Sequence, residues 1–121
     1  MRSVLVVDDS ISSARYLSMV IDGLDGYEVV GHAKSGEQAV EMFSGLQPDL
    51  VFMDIILPGI DGIEAVRRII ESAPQAKVIM LSSVAHQPEI KENAVKAGAC
   101  HVLAKPVKPA SIIAVLGDIF A

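Results

Sequence analysis

The chain has 121 residues, 51% hydrophobic and 21% charged, which suits one globular domain and excludes disorder. The formal net charge is −5 and the basic residues are scattered, with only Arg67 and Arg68 adjacent, so no basic stripe for direct nucleic-acid binding is present. No segment approaches the ~20 apolar residues of a membrane span, and Asp8 and Asp9 interrupt the first apolar run too early for a secretory signal; a cytoplasmic protein without membrane contact is expected.

The first apolar run is Val4–Val7, and it ends in Asp8-Asp9. A helical stripe follows at Ile11, Ala14, Leu17, Ile21 and Leu24. The second run is Tyr27–Val30. Ser35-Gly-Glu-Gln38 then has capping-box spacing, with Ala39, Val40 and Phe43 as the inner stripe and Gly45 as the expected stop. The third run, Leu50–Met53, ends in Asp54. A second capping box, Asp61-Gly-Ile-Glu64, precedes a stripe at Ile63, Val66, Ile69 and Ile70. The fourth run, Val78–Leu81, ends in Ser82-Ser83; Pro88 fits the first turn of the next helix, Ile90, Ala94 and Ala97 its inner face, and Gly98 its end. The fifth run, Val102–Ala104, ends in Lys105-Pro106. Pro109 opens a last helix whose core stripe is Ile112, Ile113, Val115, Leu116, Ile119 and Phe120.

Four of the five runs lack polar alternation, as strands buried on both faces do, and such strands belong to parallel sheets. Five alternating strand and helix units with short connections predict a single α/β domain over residues 1–121 with helices on both sheet faces. Ligands of such sheets bind beyond the carboxyl ends of the strands. Those ends carry Asp8, Asp9, Asp54, Ser82 and Lys105, which the fold would gather on one rim. Any one of them alone reads as an ordinary surface residue. Together they form a site. Two carboxylates ~4 Å apart repel by about 4 kcal/mol at an effective dielectric of ~20. A divalent cation relieves that repulsion, and hard oxygen donors suit Mg²⁺, which completes its shell with water and phosphate oxygens. The cluster therefore points to phosphoryl chemistry, with an aspartate as the nucleophile.

Four stretches carry a closer resemblance. Val4-Leu-Val-Val-Asp-Asp-Ser10, Met53-Asp-Ile-Ile-Leu-Pro-Gly-Ile-Asp-Gly62, Val78-Ile-Met-Leu-Ser-Ser83 and Lys96-Ala-Gly-Ala with Lys105-Pro106 resemble the receiver domain of two-component response regulators, in order and spacing, from Val4 to about Phe120. The resemblance implies a flavodoxin-like (βα)5 fold with sheet order 2-1-3-4-5. It implies Asp54 as phosphoacceptor, and Asp9, Asp54 and the Ile56 backbone carbonyl as Mg²⁺ ligands, with Asp8 assisting. It implies Lys105 as partner of Asp54 and of the phosphoryl group, Ser82 as switch hydroxyl, and a cis Lys105–Pro106 peptide. The implied donor is a phosphohistidine on a sensor histidine kinase or histidine phosphotransfer protein; the downstream target is unspecified. A stand-alone shuttle or phosphorelay intermediate is the natural expectation.

The sequence also departs from the family pattern. Val102 stands where the family usually has Tyr or Phe, three residues before the lysine. Ile56 and Val84 border the pocket and cannot orient a water, so slow self-dephosphorylation is expected, with Ser83 narrowing access. The last helix carries Ala110, Ala114, Gly117 and Ala121 opposite its core stripe. That is either a plain surface or a partner or self-association face on helices four and five. Cys100, in an apolar run, reads as a small buried hydrophobe. His32, His86 and His101 lack spaced metal-ligand partners, and His86 reads as a solvated loop residue. Two other classes compete. A flavin carrier could use Ser10, Ser12 and Ser13 for phosphate, but Asp8 and Asp9 would repel it and aromatic content is 4%. An aspartyl-phosphate phosphatase needs its two aspartates one residue apart, and here they are adjacent.

Overall fold

The computed structural model describes residues 1–120. The strands are β1 (Arg2–Val7), β2 (Tyr27–Ala33), β3 (Leu50–Asp54), β4 (Val78–Ser82) and β5 (His101–Ala104). The helices are α1 (Ile11–Asp22), α2 (Gly36–Leu46), α3 (Gly62–Ser72), α4 (Pro88–Ala97) and α5 (Pro109–Phe120). All strand pairings are parallel and the order is β2-β1-β3-β4-β5, the flavodoxin-like (βα)5 arrangement expected from the sequence.

Side chains alternate across the sheet and so divide the core in two. Val4, Val6, Phe52 and Ile79 face Leu17, Ile21, Ile112 and Leu116 of α1 and α5. Leu5, Val7, Met53 and Met80 face Phe43, Val66, Ile69 and Ala94 of α2, α3 and α4. Burying a side chain as large as Phe52 stabilises by about 1.5–3 kcal/mol, and β3 and β4 are buried along their whole length. This two-sided core holds the strand ends firmly enough for acidic groups to be crowded there.

The helix ends largely follow the sequence. Ser35 and Asp61 accept hydrogen bonds from the backbone N–H groups of Gln38 and Glu64. Pro88 and Pro109 open their helices, and Gly98 closes α4 with φ 118°, a left-handed conformation that favours glycine. Several expectations are corrected. The capping boxes do not close on the cap residues. Gln38 Oε1 accepts from Lys34 N–H, one residue earlier, and Glu64 turns to Arg67 and Arg68 instead. α2 runs past Gly45 to Leu46, and Gln47 takes the left-handed cap at φ 47° just before Pro48. β5 is not buried on both faces: as the sheet edge it is half-buried, and Ala104 is exposed. Cys100 is also exposed, because it sits in the bend entering that edge strand; its N–H pairs with the Val78 carbonyl while its side chain meets solvent. Ile11 and Ile113 leave the core stripes assigned to them and are 54% exposed. Ile11 is the first residue of α1 and falls outside the arc of Ala14, Leu17 and Ile21, and Ile113 lies on the small-residue side of α5 with Ala110, Ala114 and Gly117. Ala121, assigned to that side, lies outside the described residues. No described helix is long and apolar enough to cross a membrane.

Candidate functional site: an acidic pocket at the strand ends

β1 has β2 on one side and β3 on the other, so the strand order reverses there, and the crevice beyond the carboxyl ends of β1 and β3 is the natural binding position. Asp8 and Asp9 leave the end of β1, and Asp54 is the last residue of β3. One carboxylate oxygen from each lies within 4.8 Å of the others. Asp8 and Asp54 are buried, whereas Asp9 is exposed.

Lys105, immediately after β5, reaches across the sheet end to both buried acids. Its Nζ lies 2.8 Å from Asp54 Oδ2 and 3.0 Å from Asp8 Oδ2. Burial by itself pushes the Lys105 ammonium pKa down. Hydrogen bonds to Asp54 and Asp8 outweigh that and hold it above its usual value. When ionised, three carboxylates and one ammonium leave two negative charges uncompensated, which one divalent cation balances. The donors are oxygens, partly buried and partly open to water, as a hard cation requires.

The backbone fixes these groups from below. Asp8 Oδ1 accepts the Ser10 N–H at 2.9 Å. Asp54 Oδ1 accepts the Ile56 N–H at 3.3 Å. Gly62, the first residue of α3, donates its N–H to the Ile55 carbonyl at 2.7 Å. A Cβ at Gly62 would overlap the Asp54 carbonyl oxygen and lie 2.8 Å from the Ile55 Cα, so this close helix approach requires glycine.

The remaining sequence candidates take different places. Ser82 is buried at the end of β4, and its hydroxyl accepts the Val84 N–H at 3.0 Å. Ile56 is 65% exposed beside the pocket. Val102 lies on β5 opposite Met80, half-buried and packed on the α2–α4 side of the core. The Lys105–Pro106 peptide is cis. Ser10 caps α1 through the Ser13 N–H, which accounts for it without a phosphate. His86 is an exposed loop residue. A groove of about 770 Å³ runs from Asp8 and Lys105 between Tyr16 and Leu17 of α1 and the Pro106–Pro109 segment.

Two contacts near the site escaped the sequence reading. Glu37, in the first turn of α2, accepts the Ile60 N–H with both carboxylate oxygens at 3.2–3.3 Å, tying the β3–α3 loop to α2. His32, near the end of β2, bonds the Asp8 carbonyl oxygen at 2.9 Å. In neither contact is the partner near in sequence, so no local pattern could flag them.

The profile of the response regulator receiver domain family matches residues 4–117. The chain is 38% identical over 118 residues to the chemotaxis protein CheY of Thermotoga maritima, covering 98% of this chain and 97% of that relative. It is also 38% identical over 103 residues to protein-glutamate methylesterase/protein-glutamine glutaminase 5 of Myxococcus xanthus, covering 85% of this chain but 30% of that longer protein. Among solved structures, the CheX-CheY-BeF3-Mg²⁺ complex from Borrelia burgdorferi matches with a TM-score of 0.93 at 28% identity, covering 99% of this chain and 90% of that one.

Proposed function

The chain belongs to the response regulator receiver domain family, and from that premise we propose that Asp54 accepts a phosphoryl group in a Mg²⁺-dependent reaction that switches partner binding. The acidic cluster is that of aspartate-phosphorylation signalling, and the domain is a phosphoacceptor rather than an enzyme that turns over an external substrate. The observation that carries the assignment is the arrangement of Asp54: buried, beside two further carboxylates, and paired with Lys105.

An Asp54 carboxylate oxygen attacks the phosphorus of a phosphohistidine on a sensor kinase or phosphotransfer protein. The P–N bond breaks and the imidazole leaves with its electron pair. The groove between α1 and the Pro106–Pro109 segment opens onto Asp8 and Lys105. Asp9, Asp54 and the Ile56 carbonyl, with Asp8 assisting, would hold Mg²⁺, which supplies charge stabilisation to the phosphoryl oxygens. The relative from Borrelia burgdorferi is in complex with BeF3 and Mg²⁺.

Lys105 follows the new charge, exchanging its bond to Asp54 for a phosphoryl oxygen. Ser82 gives up the Val84 N–H to donate its hydroxyl to another phosphoryl oxygen, and the loop after β4 moves with it. Val102 has no ring to swing, so the signal leaves through that loop and α4 rather than through an aromatic on β5.

Hydrolysis requires a water in line with the P–O bond. The exposed Ile56 side chain offers such a water no hydrogen bond. Ile56→Asn is expected to shorten the lifetime of the phosphorylated chain in Mg²⁺, and an unchanged decay rate would refute this part of the proposal.

A further inference from the structure

We propose that His32 is a positioning residue for Asp9, acting through the Asp8–Asp9 peptide group, and that this sets the divalent-cation affinity of the pocket. The inference rests on the reading of Asp8, Asp9 and Asp54 as a cation site.

The three carboxylates are not held alike. Asp8 accepts Ser10 N–H and Lys105 Nζ, and Asp54 accepts Ile56 N–H and Lys105 Nζ. Asp9 is exposed, and its carboxylate has no hydrogen-bond partner among the described residues. Its direction therefore depends on the backbone leading to it. Besides the Ser10 N–H bond to the Asp8 side chain, that backbone is held by β2. Asp8 N–H donates to the Ala33 carbonyl at 3.0 Å, and the Asp8 carbonyl oxygen accepts from His32 Nε2 at 2.9 Å. A carbonyl can only accept, so His32 carries its proton on Nε2. That carbonyl belongs to the peptide plane whose N–H is Asp9's own, so the imidazole fixes the plane from which the Asp9 side chain departs.

A bulge makes the contact. β1 and β2 pair as Val4↔Val29 and then Leu5↔Gly31, with Val30 as the extra residue. One extra residue sends every later side chain of the strand to the other face. His32 consequently stands opposite Val6, whose side chain lies on the α1 side, instead of pointing towards α2. From there its ring reaches Asp8.

The test compares two substitutions of similar size. His32→Gln retains an N–H donor near the position of Nε2, whereas His32→Met has none. The purified chain is titrated with Mn²⁺ and followed by electron paramagnetic resonance, with thermal unfolding recorded metal-free. His32→Met is expected to weaken Mn²⁺ binding about tenfold, the lower end for partners that orient metal ligands, while His32→Gln stays near wild type. The Asp9 backbone ¹⁵N shift, read without metal, should move in His32→Met and not in His32→Gln. Equal affinity in wild type and His32→Met would overturn the inference, as would equal weakening in both variants, which would indicate ring packing. An Asp9→Asn control separates the two levels. If wild type binds no Mn²⁺, or binds it unaffected by Asp9→Asn, the cation site itself is wrong and the inference falls with it.

Discussion

The two halves of the sheet end are built differently. On the β1–β3 side, all of β3 and the last four residues of β1 are buried beneath the acids, α3 approaches so closely that it needs Gly62, and each buried carboxylate is bonded twice. On the β5–α4 side, the edge strand is half-buried and α4 buries Ala94 alone, against four buried residues in α3. The first half can hold reacting groups in place. The second has few buried contacts and opens at lower free-energy cost. A domain that must first react and then change shape can separate the two tasks in this way, with Lys105 and Ser82 at the seam.

The largest effect is expected at the rigid half. Gly62→Ala forces a methyl group into the Asp54 backbone, and neither strand nor helix can give way. We expect a loss of about 3 kcal/mol in denaturant unfolding, together with impaired phosphorylation. A mild effect would show that α3 can shift, and would weaken the contrast.

At the seam, Lys105→Met removes the ammonium shared by Asp8 and Asp54. The expected cost is about 2 kcal/mol at neutral pH without divalent cation, partly restored by Mg²⁺. The sign with pH follows from the raised Lys105 pKa. Its contribution is fully present below the unfolded lysine value of about 10.4 and is lost as pH rises through the higher folded value. The difference between wild type and variant should therefore stay level from pH 7 to 9 and shrink only above about 10.4. A difference that already narrowed at pH 8 would place the stabilisation elsewhere.

Ser82→Ala should cost about 1 kcal/mol, because the Val84 N–H loses its acceptor. Phosphorylation should persist, while the phosphorylation-induced change in amide exchange across the β4–α4 loop is lost. The smallest effect belongs to the loose half: Val95→Ser on the exposed side of α4 should alter stability by less than about 0.5 kcal/mol.

Much of this contrast was legible in the sequence, though not all. Continuous apolar runs gave β1, β3 and β4, and the residues ending them gave the acidic cluster, because strand ends in a parallel sheet share one rim. Residue types and charge repulsion carried the argument as far as a cation and phosphoryl chemistry. The individual roles came from resemblance to a family. The burial of β5 was misread: Val102–Ala104 is as apolar as a central strand, and the run itself carries no sign of the edge position that the expected order 2-1-3-4-5 gave it. Cys100 was misread for the same reason. The contacts of His32 and Glu37 were invisible because their partners, Asp8 and Ile60, lie 24 and 23 residues away, and the Val30 bulge that aims His32 has no local signature.

The central claim is that Asp54 is the acceptor in a cation-dependent pocket. It is tested most directly by treating the chain with a small acyl phosphate and Mg²⁺, then measuring intact mass and mapping the modified peptide. The account predicts one phosphoryl group, located at Asp54, absent when the cation is chelated and absent in Asp54→Asn. A phosphoryl group at another residue, or one that forms equally well without divalent cation, would contradict it.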